Sequence, residues 1–179
     1  KALKHPVLVE NKPGGNGAIA ATYVGRARPD GQTLFLSSVG AISINPGLYP
    51  KLIYDPIKDF APISLLSSLP NILVVHPALP VKSVKDLLAH AKAQPGKLDW
   101  ASSGTGGAQH LFGALFMSMA GIQVTHIPYK GSGPASADLL GGQVDIMFDV
   151  LQSALPLVKS GRLKIIALAS PQRDPAYPD

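Results

Sequence analysis

Cysteine is absent from the 179 residues, which excludes disulfides, thiolate catalysis and zinc–thiolate sites and leaves the compartment open. Charged residues make up only 15% of the chain and aromatics 6%, yet the apolar content of 46% sets it apart from a disordered tail. No apolar run is long enough to cross a bilayer, because Pro, Gly or a charged residue interrupts each one, and no signal peptide is visible. The basic residues are scattered, with no dense run and no interleaved aromatics, so the net charge of +5 does not point to nucleic acid. That charge suits an anionic small molecule, although net charge says little about a site. Neither paired carboxylates nor clustered His ligands occur at metal spacing, so no metal and no cofactor are expected.

Glycine (18) and proline (17) are plentiful, which implies many short elements joined by defined turns. Val7-Leu-Val9 is an expected strand, followed by the loop Asn11-Lys-Pro-Gly-Gly-Asn-Gly17 and a helix over 18–28. Thr33-Leu-Phe-Leu36 is a continuous apolar run of the kind buried on both faces of a parallel sheet, and 63–66 and 71–75 are further strands. From Lys82 onward helices and strands alternate regularly. A helix opens at Ser83-Val-Lys-Asp86, a capping box with Asp in the acidic position. The expected order continues with strand 98–101, helix 108–120, strand 124–127, helix 135–140, strand 144–148, helix 153–159 and strand 163–169. This is an α/β pattern. The division expected is a partial first lobe over 1–74, a second lobe over 75–169, and the start of a return segment over 170–179.

The chemistry centres on Trp100-Ala-Ser-Ser-Gly-Thr-Gly-Gly107, a glycine-rich turn between a strand and the helix opening at Ala108. Such a turn aims free amides and the positive end of a helix dipole into one space, the arrangement that holds an anion. A tight strand-to-helix turn with no ligand is the equal alternative. No Lys-Ser/Thr pair follows the glycines, so a phosphate loop is excluded. Ser102 and Ser103 near His110 do not make a hydrolase, because the G-x-S-x-G elbow is missing. His110 itself reads as a hydrogen-bonded structural residue before an anion donor. Tyr129, Lys130 and Asp149 each fall just after a strand, where ligands of open α/β sheets gather. Lys130 is either a carboxylate partner or a solvated loop lysine. Asp149 either meets a ligand or caps the next helix. Ser37 and Ser38 follow the 33–36 run, as ligand donors or as ordinary loop residues.

These motifs together resemble the Bug family, the extracytoplasmic solute receptors of tripartite tricarboxylate transporters. The resemblance covers essentially the whole chain and rests on several ordered motifs. They are Val9-Glu-Asn-Lys-Pro-Gly14, Pro29-Asp-Gly-Gln-Thr-Leu34, Ile44-Asn-Pro-Gly-Leu-Tyr49, Trp100-Ala-Ser-Ser-Gly-Thr-Gly106 with His110-Leu111, Ile127-Pro-Tyr-Lys-Gly131, and Leu139-Leu-Gly-Gly-Gln-Val-Asp-Ile-Met-Phe-Asp149. It implies a two-lobe periplasmic binding protein of type II-like architecture. Such a receptor captures a small carboxylate or amino acid by hinge closure, without enzymatic activity, and delivers it to the membrane components of a tripartite transporter. It also implies ligand contacts at Ser37, Ser38, Ser102, Ser103, Gly104, Thr105, Gly106, Gly107, Tyr129, Lys130 and Asp149. The family pattern has an earlier strand with a Pro/Gly-rich carboxylate-gripping loop and a later return to the first lobe. Their absence makes this an expected internal fragment with an incomplete first lobe, prone to self-association through an exposed sheet edge. The effector-sensing lobes of a transcriptional regulator are the alternative, and an α/β enzyme acting on a carboxylate the third reading.

Overall fold

The computed structural model describes residues 5–173 and divides into two compact units, Lys1–Ala61 and Pro62–Asp179. Part of the expected return segment, residues 174–179, lies outside the described residues. The expected division lies between residues 74 and 75; the strand 71–75 is part of the sheet of the second unit.

The first unit is held by polar contacts more than by a sheet. Helix α1 (Ala18–Gly25) follows a short 3-10 turn, Gly15–Gly17, and α2 (Asn45–Leu48) follows a π turn, Gly40–Ile44. Asn45 is fully buried and joins these pieces. Its Oδ1 accepts from Asn16 Nδ2 (2.8 Å), and its Nδ2 donates to the Asn16 carbonyl (3.2 Å) and to Tyr54 Oη (3.0 Å). The Tyr54 hydroxyl donates in turn to the Ala41 carbonyl at 2.6 Å. Buried polar groups are tolerated when satisfied in this way.

Three runs expected as strands are not strands. Residues 7–9 and 33–36 in the first unit and 63–66 in the second form no ladder with any described residue. Most of their side chains are exposed, Leu8 by 83%, Leu36 by 81% and Leu65 by 85%, while Phe35 is half-buried beside Phe60. A strand exists only when a neighbouring backbone takes its N–H and C=O groups, and here none does.

The second unit carries one five-stranded sheet with two apolar layers. Its strands are β1 (Asn71–Val75), β2 (Asp99–Ser102), β3 (Thr125–Pro128), β4 (Ile146–Val150) and β5 (Lys164–Leu168), in the spatial order β3-β2-β4-β1-β5. The helices are α3 (Val84–Ala93), α4 (Ala108–Ala120), α5 (Ser132–Leu140) and α6 (Leu151–Lys159). β2 runs parallel to β3 and β4, whereas β1 is antiparallel to both β4 and β5. The sheet is therefore mixed, within the α/β pattern expected from the sequence. Alternation along the strands sends Leu73, Val75, Trp100, Ile146 and Phe148 to one layer, with Leu87 and Met117. Ile72, Val74, Ala101 and Met147 go to the other, with Ala135, Leu139 and Leu151. Ser83 caps α3 by accepting the Asp86 amide (3.1 Å), and the Asp86 carboxylate accepts the Lys82 amide (3.1 Å). Lys164 Nζ donates to the carbonyls of Leu79 and Val81, tying edge strand β5 to the turn after β1.

Gly113, in the middle of α4, has a packing reason to be glycine. A Cβ there would lie 2.0 Å from the Trp100 ring, which is buried. Gly113→Ala is expected to lower the melting temperature, because overpacking of about 1–3 kcal/mol exceeds the ~1 kcal/mol gain in helix propensity. An unchanged or raised melting temperature by circular dichroism would show that α4 does not press on Trp100.

Candidate functional site

Because β2, β3 and β4 run the same way, their carboxyl ends emerge at one edge of the sheet. β2 ends at Ser102 and turns through the glycine loop into α4. β3 ends at Pro128 beside Tyr129, Lys130 and Gly131, and β4 ends in Asp149 and Val150. Antiparallel β1 contributes its first residue to the same edge, since Asn71 pairs with Val150. The structure thus brings Ser102, Ser103, Gly104, Thr105, Gly106, Gly107, Tyr129, Lys130 and Asp149 to one end of one sheet. Ser37 and Ser38 are exposed residues of the first unit, and the Ser37 hydroxyl donates to the Ser38 carbonyl (3.2 Å).

The loop is bound closely to the corner after β3. The amides of Tyr129 and Gly131 donate to the carbonyls of Ser102 and Ser103, both at 3.0 Å. Gly104 has φ 136°, and a Cβ there would meet the Tyr129 carbonyl at 3.3 Å, so only glycine fits without strain. Several amides expected to face a ligand are used within the loop. Gly107 N–H donates to the Gly104 carbonyl (3.3 Å), Gly104 N–H to Ser102 Oγ (3.2 Å), and Gly106 N–H to His110 Nδ1 (3.2 Å). The first-turn amides of Ala108, Gln109 and His110 have no intrahelical acceptor, as at any helix start, and no side chain among the described residues caps α4. The Ser103 hydroxyl is hydrogen-bonded to Gln109 Oε1.

Around this loop the titratable groups are shifted by burial. The Tyr129 hydroxyl donates to Asp138 Oδ2 (2.7 Å), and burial together with that carboxylate pushes it up to about 12. Lys130 is exposed. Asp149 is buried, 1% exposed, and burial raises its carboxyl above the ordinary range despite two hydrogen bonds. Both fall on Oδ1, from its neighbour Val150 N–H (2.8 Å) and from Ser153 Oγ (3.0 Å) in the first turn of α6.

Sequence reading did not single out His126 or Asn71. His126 lies opposite Trp100 in the β2–β3 register, and its Nε2 is 2.7 Å from the buried Ser102 Oγ. The available signal was a histidine in a short strand of the same layer as a strand-terminal serine. Asn71 Oδ1 is buried without a hydrogen-bond partner among the described residues.

The α/β sheet with a glycine loop and an uncapped helix at one end is the fold of a periplasmic-binding-protein lobe, and comparison bears this out. The MatC protein from Rhodopseudomonas palustris, solved with bound malate, matches at a TM-score of 0.91 and 34% identity, covering 99% of this chain and 60% of that one. A second R. palustris protein, solved with adipate, matches at 0.90 and 36%, covering 93% and 56%. Protein BugT of Bordetella pertussis is 36% identical over 178 residues, 99% of this chain and 55% of BugT. Residues 1–179 match the tripartite tricarboxylate transporter family receptors, and the chain belongs to that family. It spans about half the length of the curated relatives it matches. The family and these neighbours are substrate-binding receptors.

Replacing Asp149 by Asn tests what its burial costs. A carboxyl whose folded pKa is raised favours the fold below its unfolded pKa and loses that contribution as pH rises through the folded value. Asp149→Asn keeps an Oδ1 acceptor and removes the buried charge. The variant is expected to melt higher than the parent at pH 7, the gap closing towards pH 3–4. A variant that melts lower at every pH would make Asp149 a stabilising cap.

Proposed function

We propose that the chain is part of a periplasmic receptor, not an enzyme, that binds a small carboxylate for delivery to a tripartite membrane transporter. The observation that carries this reading is the uncapped N-terminus of α4 at the carboxyl end of β2. A carboxylate placed there would accept from the first-turn amides of 108–110 and gain from the helix dipole. Ser102, Ser103, Gly104, Thr105, Gly106 and Gly107 form the wall beneath it. Lys130 supplies a nearby positive charge, and Tyr129 a fixed aromatic edge. Asp149 and the unpartnered Asn71 Oδ1 are acceptors at the same sheet edge, which suits a ligand that also carries a hydroxyl or ammonium donor. The malate- and adipate-bound relatives support a dicarboxylate as the ligand class.

A thermal-shift series on the full-length protein tests this. Malate, adipate and a panel of other mono- and dicarboxylates are added, with sulfate and a neutral amide as controls. A true ligand at 100 times its Kd adds about 2.7 kcal/mol of apparent stability. At least one carboxylate is expected to raise the melting temperature, and Gly104→Ala to abolish the shift. Equal responses to carboxylates and controls would sink the reading.

A further inference from the structure

His126 and His110 come from different elements, β3 and α4, yet their rings stack with centroids 4.5 Å apart. Both also stack on Trp100, at 4.3 and 5.8 Å. Each ring reaches a different part of the glycine loop. His126 Nε2 lies 2.7 Å from Ser102 Oγ, a fully buried hydroxyl that brackets Gly104 by contacts of 3.2 Å to its amide and to its carbonyl. His110 Nδ1 accepts the Gly106 N–H at 3.2 Å. The two turns of the loop are therefore set by two imidazoles that touch one another.

We propose that His126 and His110 are positioning residues which hold the glycine loop in its ligand-receiving shape, and that the loop keeps this shape only while His110 is uncharged. The argument is one of proton count. An imidazole accepts at Nδ1 only as the neutral Nε2–H tautomer. Protonation puts a hydrogen on Nδ1, turns the acceptor into a donor, and sets it against the Gly106 N–H. Trp100 and His126 stack against the ring and take up part of its hydration shell, so a charged His110 is poorly solvated.

Titratable and charged groups on the surrounding elements do not offset that charge. They are Asp99 on β2, Tyr129 and Lys130 after β3, Asp138 on α5 and Asp149 on β4. No ion pair links any of them to either ring among the described residues. Burial lowers His110, and burial together with the His110 charge lowers His126 to about 4. A histidine with a depressed folded pKa leaves stability intact above about pH 6.5, and that stability is lost as pH falls towards the folded value. The acid window is therefore below 6.5.

The ligand part of this proposal rests on the carboxylate reading above, whereas the loop part does not. The test uses the full-length protein labelled with nitrogen-15 at His and Gly, followed by NMR from pH 7.5 to 3.5. At neutral pH, His110 Nδ1 is expected to resonate as an unprotonated nitrogen. The Gly106 amide should then shift on acidification with the same midpoint as His110. His110→Asn places Oδ1 where Nδ1 was, so it should hold the Gly106 amide in place at pH 7 and abolish its acid step. His110→Phe keeps a ring in the stack but no acceptor, so it should displace that amide already at pH 7. In the second arm, malate and adipate binding at pH 7 should weaken about tenfold in His110→Phe, the scale of one lost hydrogen bond. It should stay within about twofold of the parent in His110→Asn. A Gly106 amide that ignores the His110 titration, or that titrates equally in the Asn variant, overturns the proposal. If neither acid binds while Gly106 still follows His110, the positioning role stands and the carboxylate reading fails.

Discussion

The common direction of β2, β3 and β4 is the constraint on which the rest of the second unit depends. Parallel neighbours deliver all their carboxyl ends to one edge, so the turns after them must share that space. Two consequences follow. The glycine loop after β2 and the Tyr129–Gly131 corner exchange backbone hydrogen bonds, which fixes one against the other. The helix after β2 begins where those turns converge, with its first amides uncapped. A sheet running in alternate directions would have spread the same residues over two opposite ends and left no convergent donors.

Trp100 supplies the complementary constraint from inside the layer. Its ring needs the bare backbone of Gly113 on one side and takes two imidazoles against its surface. The position of α4 over the sheet, and so the direction in which its N-terminus points, is set by how closely that ring lets the helix approach. Packing in the core thus fixes the geometry of the polar end.

How much of this was legible in the sequence depended on whether the evidence was local. The helix of α4 was legible to the residue, because Gly107 and Gly121 bracket an apolar segment and both bounds are local chemistry. Ser83 as a cap was legible for the same reason. The runs at 7–9, 33–36 and 63–66 looked like strands because they are apolar, but a strand also needs a partner, and pairing is a property of a second segment. The antiparallel entry of β1 was hidden likewise, since nothing within Asn71–Val75 encodes the direction of its neighbours. In the candidate site, the convergence of 102–107, 129–130 and 149 followed from strand ends. Which amides are already spent within the loop, and that His126 reaches Ser102, depend on distances that no spacing reveals.

The buried polar residues differ in how fully their hydrogen-bonding groups are matched. Asn45, in the first unit, is wholly buried, and both its amide oxygen and its amide nitrogen are matched by Asn16 and Tyr54. That is what a purely structural polar residue requires. At the sheet end of the second unit the matching is incomplete. Asp149 is as deeply buried, but both of its hydrogen bonds fall on one oxygen and its ionisation is disfavoured. Asn71 Oδ1 has no partner among the described residues. The unpartnered Asn71 oxygen costs on the order of 1–3 kcal/mol, which a small apolar side chain would avoid. Asp149 and Asn71 lie on adjacent strands at one edge, beside helix amides that also lack a cap. One unpartnered acceptor and an uncapped helix N-terminus at the same sheet end suit the proposed carboxylate ligand, which would meet the helix amides and, where it carries a hydroxyl or ammonium group, the acceptor as well.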